Sequence, residues 1–262
     1  MMLFVKTDKD KQNEPNFSDL EKKINKNTKG IIINSPSNPT GGVWSDEAII
    51  KLLDFLKSYK DIWIFSDECY EQLTYGKKFK SIALFDKNND RIVTFQSCSK
   101  TYAMTGWRIG YIAGNKKLVK AVGKLQGQST SCPNSIAQYA ATEALMGDQA
   151  CVNKMIKIFK KRRDLILSEL LNIDKITCEK PNGAFYVFPN FSSYLKSQDD
   201  ENNIMNTSSD LSLYILRTTG VVTVAGDSFG APGYIRFSYA TSSKTIKKAI
   251  SLVNKTIKKL HF

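Results

Sequence analysis

The chain has 262 residues, 42% of them hydrophobic and 24% charged, with a formal net charge of +13. That length can bury a substantial core, in one large domain or two modest ones, and the composition is that of an ordinary globular protein. The single histidine, His261, is the penultimate residue, which argues against Ser-His and Cys-His nucleophilic catalysis and against a His-based metal centre, and leaves proton transfer to Lys, Tyr, Asp, Glu or a cofactor.

The β-branched run Gly30-Ile31-Ile32-Ile33-Asn34 predicts a strand over 30–34, closed by the turn NSPSNPTGG. Each proline in that turn fixes its own φ and biases the residue before it toward extended backbone, so Ser35 and Asn38 are both restricted. A helix is predicted near 45–58, with Ser45 as its N-cap and Ile49, Leu52, Leu53 and Leu56 on one face. Further strands are predicted at 62–66, 91–96 and 108–113. These are continuous apolar runs without strict alternation, which predicts a mainly parallel sheet covered on both faces, in an α/β architecture.

Helices are predicted from about 116 to 146 and from 149 to 171, the second with Val152, Met155, Phe159, Ile166 and Leu170 on its apolar face. After PNG at 181–183 the pattern changes to short strands (AFYVF, VVTVA, YIRFSYA) and two helices, a smaller α+β domain. The Ser/Asp/Asn-rich stretch 192–209 reads as a surface loop. The expected division is a large domain over 1–150 and a small one over 151–262.

The basic residues are scattered. In the stretch from Lys244, Ile246, Ala249, Ile250, Val253, Ile257 and Leu260 recur at helical spacing and leave the lysines on the opposite, solvated face. No nucleic-acid motif accompanies them, so no nucleic-acid partner is expected; a positive field favours anionic small molecules. Cys69, Cys98, Cys132, Cys151 and Cys178 form an odd set without a CxxC pair, which fits free thiols in a reducing cytoplasm. No apolar run reaches membrane-spanning length, and the N-terminus turns charged too early for a secretory signal, so no membrane partner is expected.

In open α/β sheets, ligands gather beyond the carboxyl ends of the strands. Asn38 follows the first predicted strand, Asp67 and Tyr70 the second, Ser97 and Lys100 the third. Singly, each reads as a turn residue, a cap or a solvated lysine. Their coincidence at three successive strand ends points to a site.

SPSNPTGG, SDECYEQLTY and above all SCSKTYAMTGWRIGYIAG resemble the class I pyridoxal-phosphate aminotransferases, the aspartate aminotransferase-like family of fold type I. PNGAFYVFP and AGDSFGAPGYIRFSYA resemble the same family in the same order. The resemblance implies that Lys100 holds the cofactor covalently and afterwards moves the substrate's α-proton. It implies that Asp67 keeps the pyridine nitrogen protonated, that Asn38 and Tyr70 bond its phenolic oxygen, and that Ser97 and Arg108 bind the phosphate. Arg236, with Asn38, would hold the substrate's α-carboxylate, and orientation there supplies much of the rate. Small-molecule amino acid and 2-oxo acid substrates would be the partners, with aspartate and 2-oxoglutarate the first pair to consider, and the complete protein would be a homodimer.

The family's usual chain begins well before the point that corresponds to Met1. The expectation is therefore an incomplete large domain, and a lone chain that binds the cofactor weakly and transaminates poorly or not at all without an added N-terminal segment. Two alternatives stand beside the aminotransferase reading. One is a non-catalytic fragment that binds cofactor or a partner chain; the other is a lyase or decarboxylase on the same fold, against which Arg236 speaks because a clamped carboxylate is a poor leaving group.

Overall fold

The computed structural model describes residues 2–76 and 78–262. It divides into two compact units, one of residues 1–37 and 42–156 and the other of Asn38–Gly41 with residues 157–262. The division falls inside a long helix, and the short Asn38–Gly41 segment belongs with the second unit although it follows the first strand of the main sheet.

In the first unit a small hairpin of β1 (Thr7–Asp8) and β2 (Glu14–Pro15) precedes α1 (Phe17–Lys23). The main sheet has four strands in chain order: β3 (Gly30–Asn34), β4 (Trp63–Asp67), β5 (Ile92–Ser97) and β6 (Gly110–Ala113). β3, β4 and β5 run parallel, and β6 is antiparallel to β5. Between β3 and β4 lies α2 (Asp46–Leu56), where Ser45 Oγ accepts the N–H of Ala48 at 3.1 Å and the predicted apolar face is buried. Ile33 and Ile64 join Leu52, Leu53 and Leu56 in one core cluster, with Ile31 packed against it.

The second face of this sheet is covered only in part. Side chains alternate across a strand, so Ile32 and, through the pairings Ile32↔Phe65 and Asp67↔Phe95, the residues Phe65, Asp67 and Phe95 lie on the face opposite that core. Ile32 is 70% exposed and Phe95 38%. The expectation of a sheet covered on both sides is therefore corrected in part: Val93, paired with Phe65 on this second face, is buried, while Ile32 and Phe95 stand open.

After β5 the chain makes α3 (Cys98–Thr101), β6, α4 (Lys116–Ser129) and α5 (Ser135–Met146), then enters α6 (Ala150–Leu171), which crosses the division. In the second unit, β7 (Tyr186–Val187), β8 (Val224–Ala225) and β9 (Ile235–Ser238) form an antiparallel sheet with β9 at its centre. α7 (Ser208–Thr219) starts with a reciprocal Thr207/Asp210 cap and ends at Gly220 in the left-handed region; α8 (Ser243–Ile257) buries Ile246, Ile250, Val253 and Ile257 and exposes its lysines.

The stretch 192–209 is not a free surface loop. Ser197 is fully buried with its hydroxyl on the Tyr194 carbonyl, Met205 is buried, and Gln198 pairs with His261. Its polar composition hid these anchors, which are local hydrogen bonds and two isolated bridges.

Candidate active site

The second strand is one residue longer at its carboxyl end than predicted, so Asp67 closes β4 instead of following it, and Ser97 likewise closes β5. The main-chain oxygen of Asp67 accepts the Ser35 N–H and the Asn34 side-chain amide, each at 3.3 Å. Its carboxylate Oδ1 accepts the N–H of Cys69 at 3.1 Å. Asp67 is thereby fixed at the sheet's carboxyl edge, on its partly covered face.

There a pocket of about 710 Å³ opens, lined by Ile32, Phe65, Phe95, Asp67, Lys100 and Arg108, with Ser97, Ser99, Thr105, Gln96 and Cys69 around them. The apolar wall comes from the sheet; Phe65 and Phe95 meet edge to face, with centroids 6.0 Å apart. The polar groups come from the strand ends and from the turn after β5. Ser97 caps α3, its Oγ accepting the Ser99 N–H at 3.1 Å, and this tight start carries Lys100 three residues on. Nζ of Lys100 lies 6.0 Å from the ring centroid of Tyr70, itself buried.

Arg108 takes left-handed backbone, φ 54°, just before β6, and its Nη1 donates to the Thr105 carbonyl at 3.0 Å. That bond arches the turn over residues 105–108 and sets the guanidinium on the pocket. Cys69, beside Asp67 and Lys100, is no nucleophile: burial first, then the Asp67 carboxylate, push its thiol up to about 12.

Of the sequence-predicted residues, the pocket thus gathers Asp67, Ser97, Lys100 and Arg108, with Tyr70 beneath the lysine. Asn38 and Arg236 are brought together in the second unit, where Arg236 Nη1 donates to Asn38 Oδ1 at 2.6 Å. Arg236 stands on β9, its Cζ 4.5 Å from the ring centroid of Tyr186 and 5.3 Å from that of Phe229.

Sequence reasoning passed over several of these groups. Ser99 and Thr105 sit inside the motif that carries Lys100, so their hydroxyls were in view without a role. Glu68, fully buried one residue after Asp67, collects the Ser66 and Ser81 hydroxyls, the Ile82 N–H and the Gln96 amide on its carboxylate. Nothing in its local sequence separates it from the exposed glutamates.

The family profile described as aminotransferase class I and II matches residues 2–253. A protein of Rhizobium leguminosarum bv. phaseoli named "Probable aspartate/prephenate aminotransferase" is 42% identical over 234 residues, which is 88% of this chain and 58% of that protein. The similarly named protein of Aquifex aeolicus is 39% identical over 96% of this chain and 63% of its own length. Among solved structures, the aspartate aminotransferase of Rhizobium meliloti superposes with a TM-score of 0.93 at 34% identity, over 99% of this chain and 65% of that one. The chain therefore spans less than two thirds of the length of these relatives.

Proposed function

Since the chain belongs to the class I and II aminotransferase family, we propose that it uses pyridoxal phosphate to move an amino group between an α-amino acid and a 2-oxo acid, with aspartate as donor. The observation that carries this reading is the convergence of an amine, a carboxylate, hydroxyls and a guanidinium (Lys100, Asp67, Ser97 and Arg108) on one pocket with an apolar wall.

Those donors suit the cofactor. The pocket's volume is of the size that ring-bearing ligands occupy, and its wall offers flat apolar surface for a pyridine. Bound there, pyridoxal phosphate supplies an electron-withdrawing ring that lets an amino acid's α-proton leave. Lys100 would hold the group, and its freed amine would move the proton between the substrate's α-carbon and the cofactor. The Asp67 carboxylate would keep the ring nitrogen protonated, and Tyr70 and Asn38 would be the groups to bond the phenolic oxygen. The Ser97 hydroxyl and the planar fork of Arg108 bind phosphate oxygens. Arg236 binds the substrate's carboxylate and so orients the bond to be broken.

A chain that binds the cofactor without turnover is the competing reading, and the observation behind it is the 58% share of the Rhizobium relative that the match covers. Free cysteines at all five positions fit a reducing compartment such as the cytoplasm. Among the described residues no helix is long and apolar enough to cross a membrane. A homodimer is supported by the large apolar side chains that α5 turns outward.

The test is direct. The purified protein is assayed with pyridoxal phosphate for transamination of aspartate and 2-oxoglutarate, alone and with the N-terminal segment of a longer relative added, and borohydride reduction followed by peptide mapping should tag Lys100. A tag without turnover supports the binding-only reading; a tag on another lysine sinks the assignment of the site.

A further inference from the structure

Arg236 is held by more than Asn38. Tyr186 reaches it from β7 and Phe229 from the turn after β8, so the two rings come from the two neighbours of the central strand. Each ring is itself held: Tyr186 lies 4.7 Å from Phe185, and Phe229 meets Phe188 edge to face at 5.9 Å. A guanidinium is planar and weakly hydrated, and it stacks on aromatic faces while its N–H groups point outward in its own plane. With two rings close to its Cζ and Nη1 committed to Asn38, the cation loses the rotamer freedom of a surface arginine.

We propose that Tyr186 and Phe229 are positioning residues, which hold the Arg236 guanidinium by its flat surface so that its in-plane N–H groups meet a planar carboxylate edge-on. This rests on the reading of Arg236 as the carboxylate-binding residue and adds to it the reason the arginine is ready before substrate arrives. Pre-organisation of this kind raises affinity by removing an ordering cost from the binding step. It touches the substrate's carboxylate only through Arg236.

The experiment compares Phe229→Leu, Tyr186→Leu and Tyr186→Phe with the parent chain, all loaded with pyridoxal phosphate. The probe is maleate, a dicarboxylate without an amino group, titrated against the cofactor's absorbance. Each leucine variant should bind maleate about tenfold more weakly and show a matching rise in KM for aspartate, with cofactor affinity unchanged within about twofold. Tyr186→Phe keeps the ring and should behave as the parent. Leucine variants that bind maleate as the parent does would overturn the proposal, as would a Tyr186→Phe variant as weak as Tyr186→Leu, since that would assign the effect to the hydroxyl. Phe229 is only partly buried, so Phe229→Leu decides the matter if Tyr186→Leu fails to fold. A parent chain that binds cofactor but not maleate removes the carboxylate role of Arg236 and this inference with it; a parent that binds both, with variants alike, removes this inference alone.

Discussion

Arg236 and Asn38 are 198 residues apart in the chain and meet at 2.6 Å, the guanidinium donating to the amide oxygen. The proline-flanked turn explains how an early residue reaches a late strand. The Gly41 carbonyl accepts the N–H groups of Asn182 at 3.0 Å and Gly183 at 2.8 Å, which ties the Asn38–Gly41 segment to the PNG turn. The PNG turn is held in its place by Arg163, nearly fully buried, whose Nη1 donates to the Pro181 carbonyl at 3.0 Å. The turn that reads as a simple strand stop is a strap between two loops, with the amide of Asn38 at its end.

Arg236→Ala should therefore damage amino-acid turnover far more than cofactor binding. A charge-assisted bond to a carboxylate is worth about 1.5–3 kcal/mol, so kcat/KM should fall by roughly one to two orders of magnitude. Steady-state kinetics beside a pyridoxal phosphate titration separates the two. An equal loss of cofactor affinity would show that Arg236 serves the phosphate or the fold.

Gly41→Ala tests the strap. Gly41 has φ +69°, and a Cβ there would run into the Pro181 ring and stand 2.7 Å from the Gly183 carbonyl. Both the left-handed backbone and the clash with fixed atoms oppose a side chain, and a cost of about 2 kcal/mol or more is expected. Urea unfolding should show the loss, and Gly220→Ala makes the comparison, because φ is +72° there but no atom lies within 4 Å of the added carbon. Equal losses at the two sites would mean that backbone strain acts alone and the strap contributes nothing.

How far the sequence discloses this molecule follows from what each signal measures. Apolar periodicity reports one element's buried face, so α2 and α8 are legible from Ile49, Leu52 and Ile250 alone. Periodicity does not say whether the second face of a sheet finds a cover, and Ile32, central in the most apolar strand, is exposed for that reason. Asp67, Ser97, Lys100 and Arg108 were legible because family motifs carry them in short, ordered stretches. Tyr186 and Phe229 were not, since aromatic residues in short strands read as core whether or not a guanidinium lies against them. Glu68 was hidden in the same way: its role is set by Ser81 and Gln96, distant in sequence.

Glu68 gives a pH prediction. Burial lifts its carboxyl above the ordinary 4.5, and the bonds from Ser81, Ser66 and Ile82 pull it back only in part. The folded chain thus binds this proton more firmly than the unfolded chain does. The group's contribution to stability is fully present below pH 4.5 and is lost as pH rises through the folded value. Glu68→Gln cannot titrate, so the parent should lose stability relative to the variant as pH is raised from 4.5 upward. Paired urea titrations at several pH values measure this. A difference that does not change with pH would mean that Glu68 titrates alike in both states.

The last prediction concerns α5. Its inner face is made of small residues: Ala137 and Ala141 are buried, and Ala140, Ala141 and Ala144 belong with Cys98 and Met104 in one apolar cluster. Its outer side carries Ile136, Tyr139 and Met146, exposed by 69, 81 and 82%. Residues three, four and seven apart share a helix face, so these side chains make an apolar stripe on the water side of a helix whose other face is already packed. Removing each large side chain from water is worth about 1.5–3 kcal/mol, enough for three of them to drive association at working protein concentrations. The triple variant Ile136→Lys, Tyr139→Lys, Met146→Lys alters no buried residue and should melt close to the parent. Sedimentation velocity over a concentration series should show the parent growing in mass and the variant staying monomeric. Equal association of both would place the sticky surface elsewhere, with Ile32 and Phe95 on the open part of the second sheet face the next residues to charge. A parent that stays monomeric throughout would mean that the α5 stripe is tolerated in water, and the homodimer reading would lose its structural support.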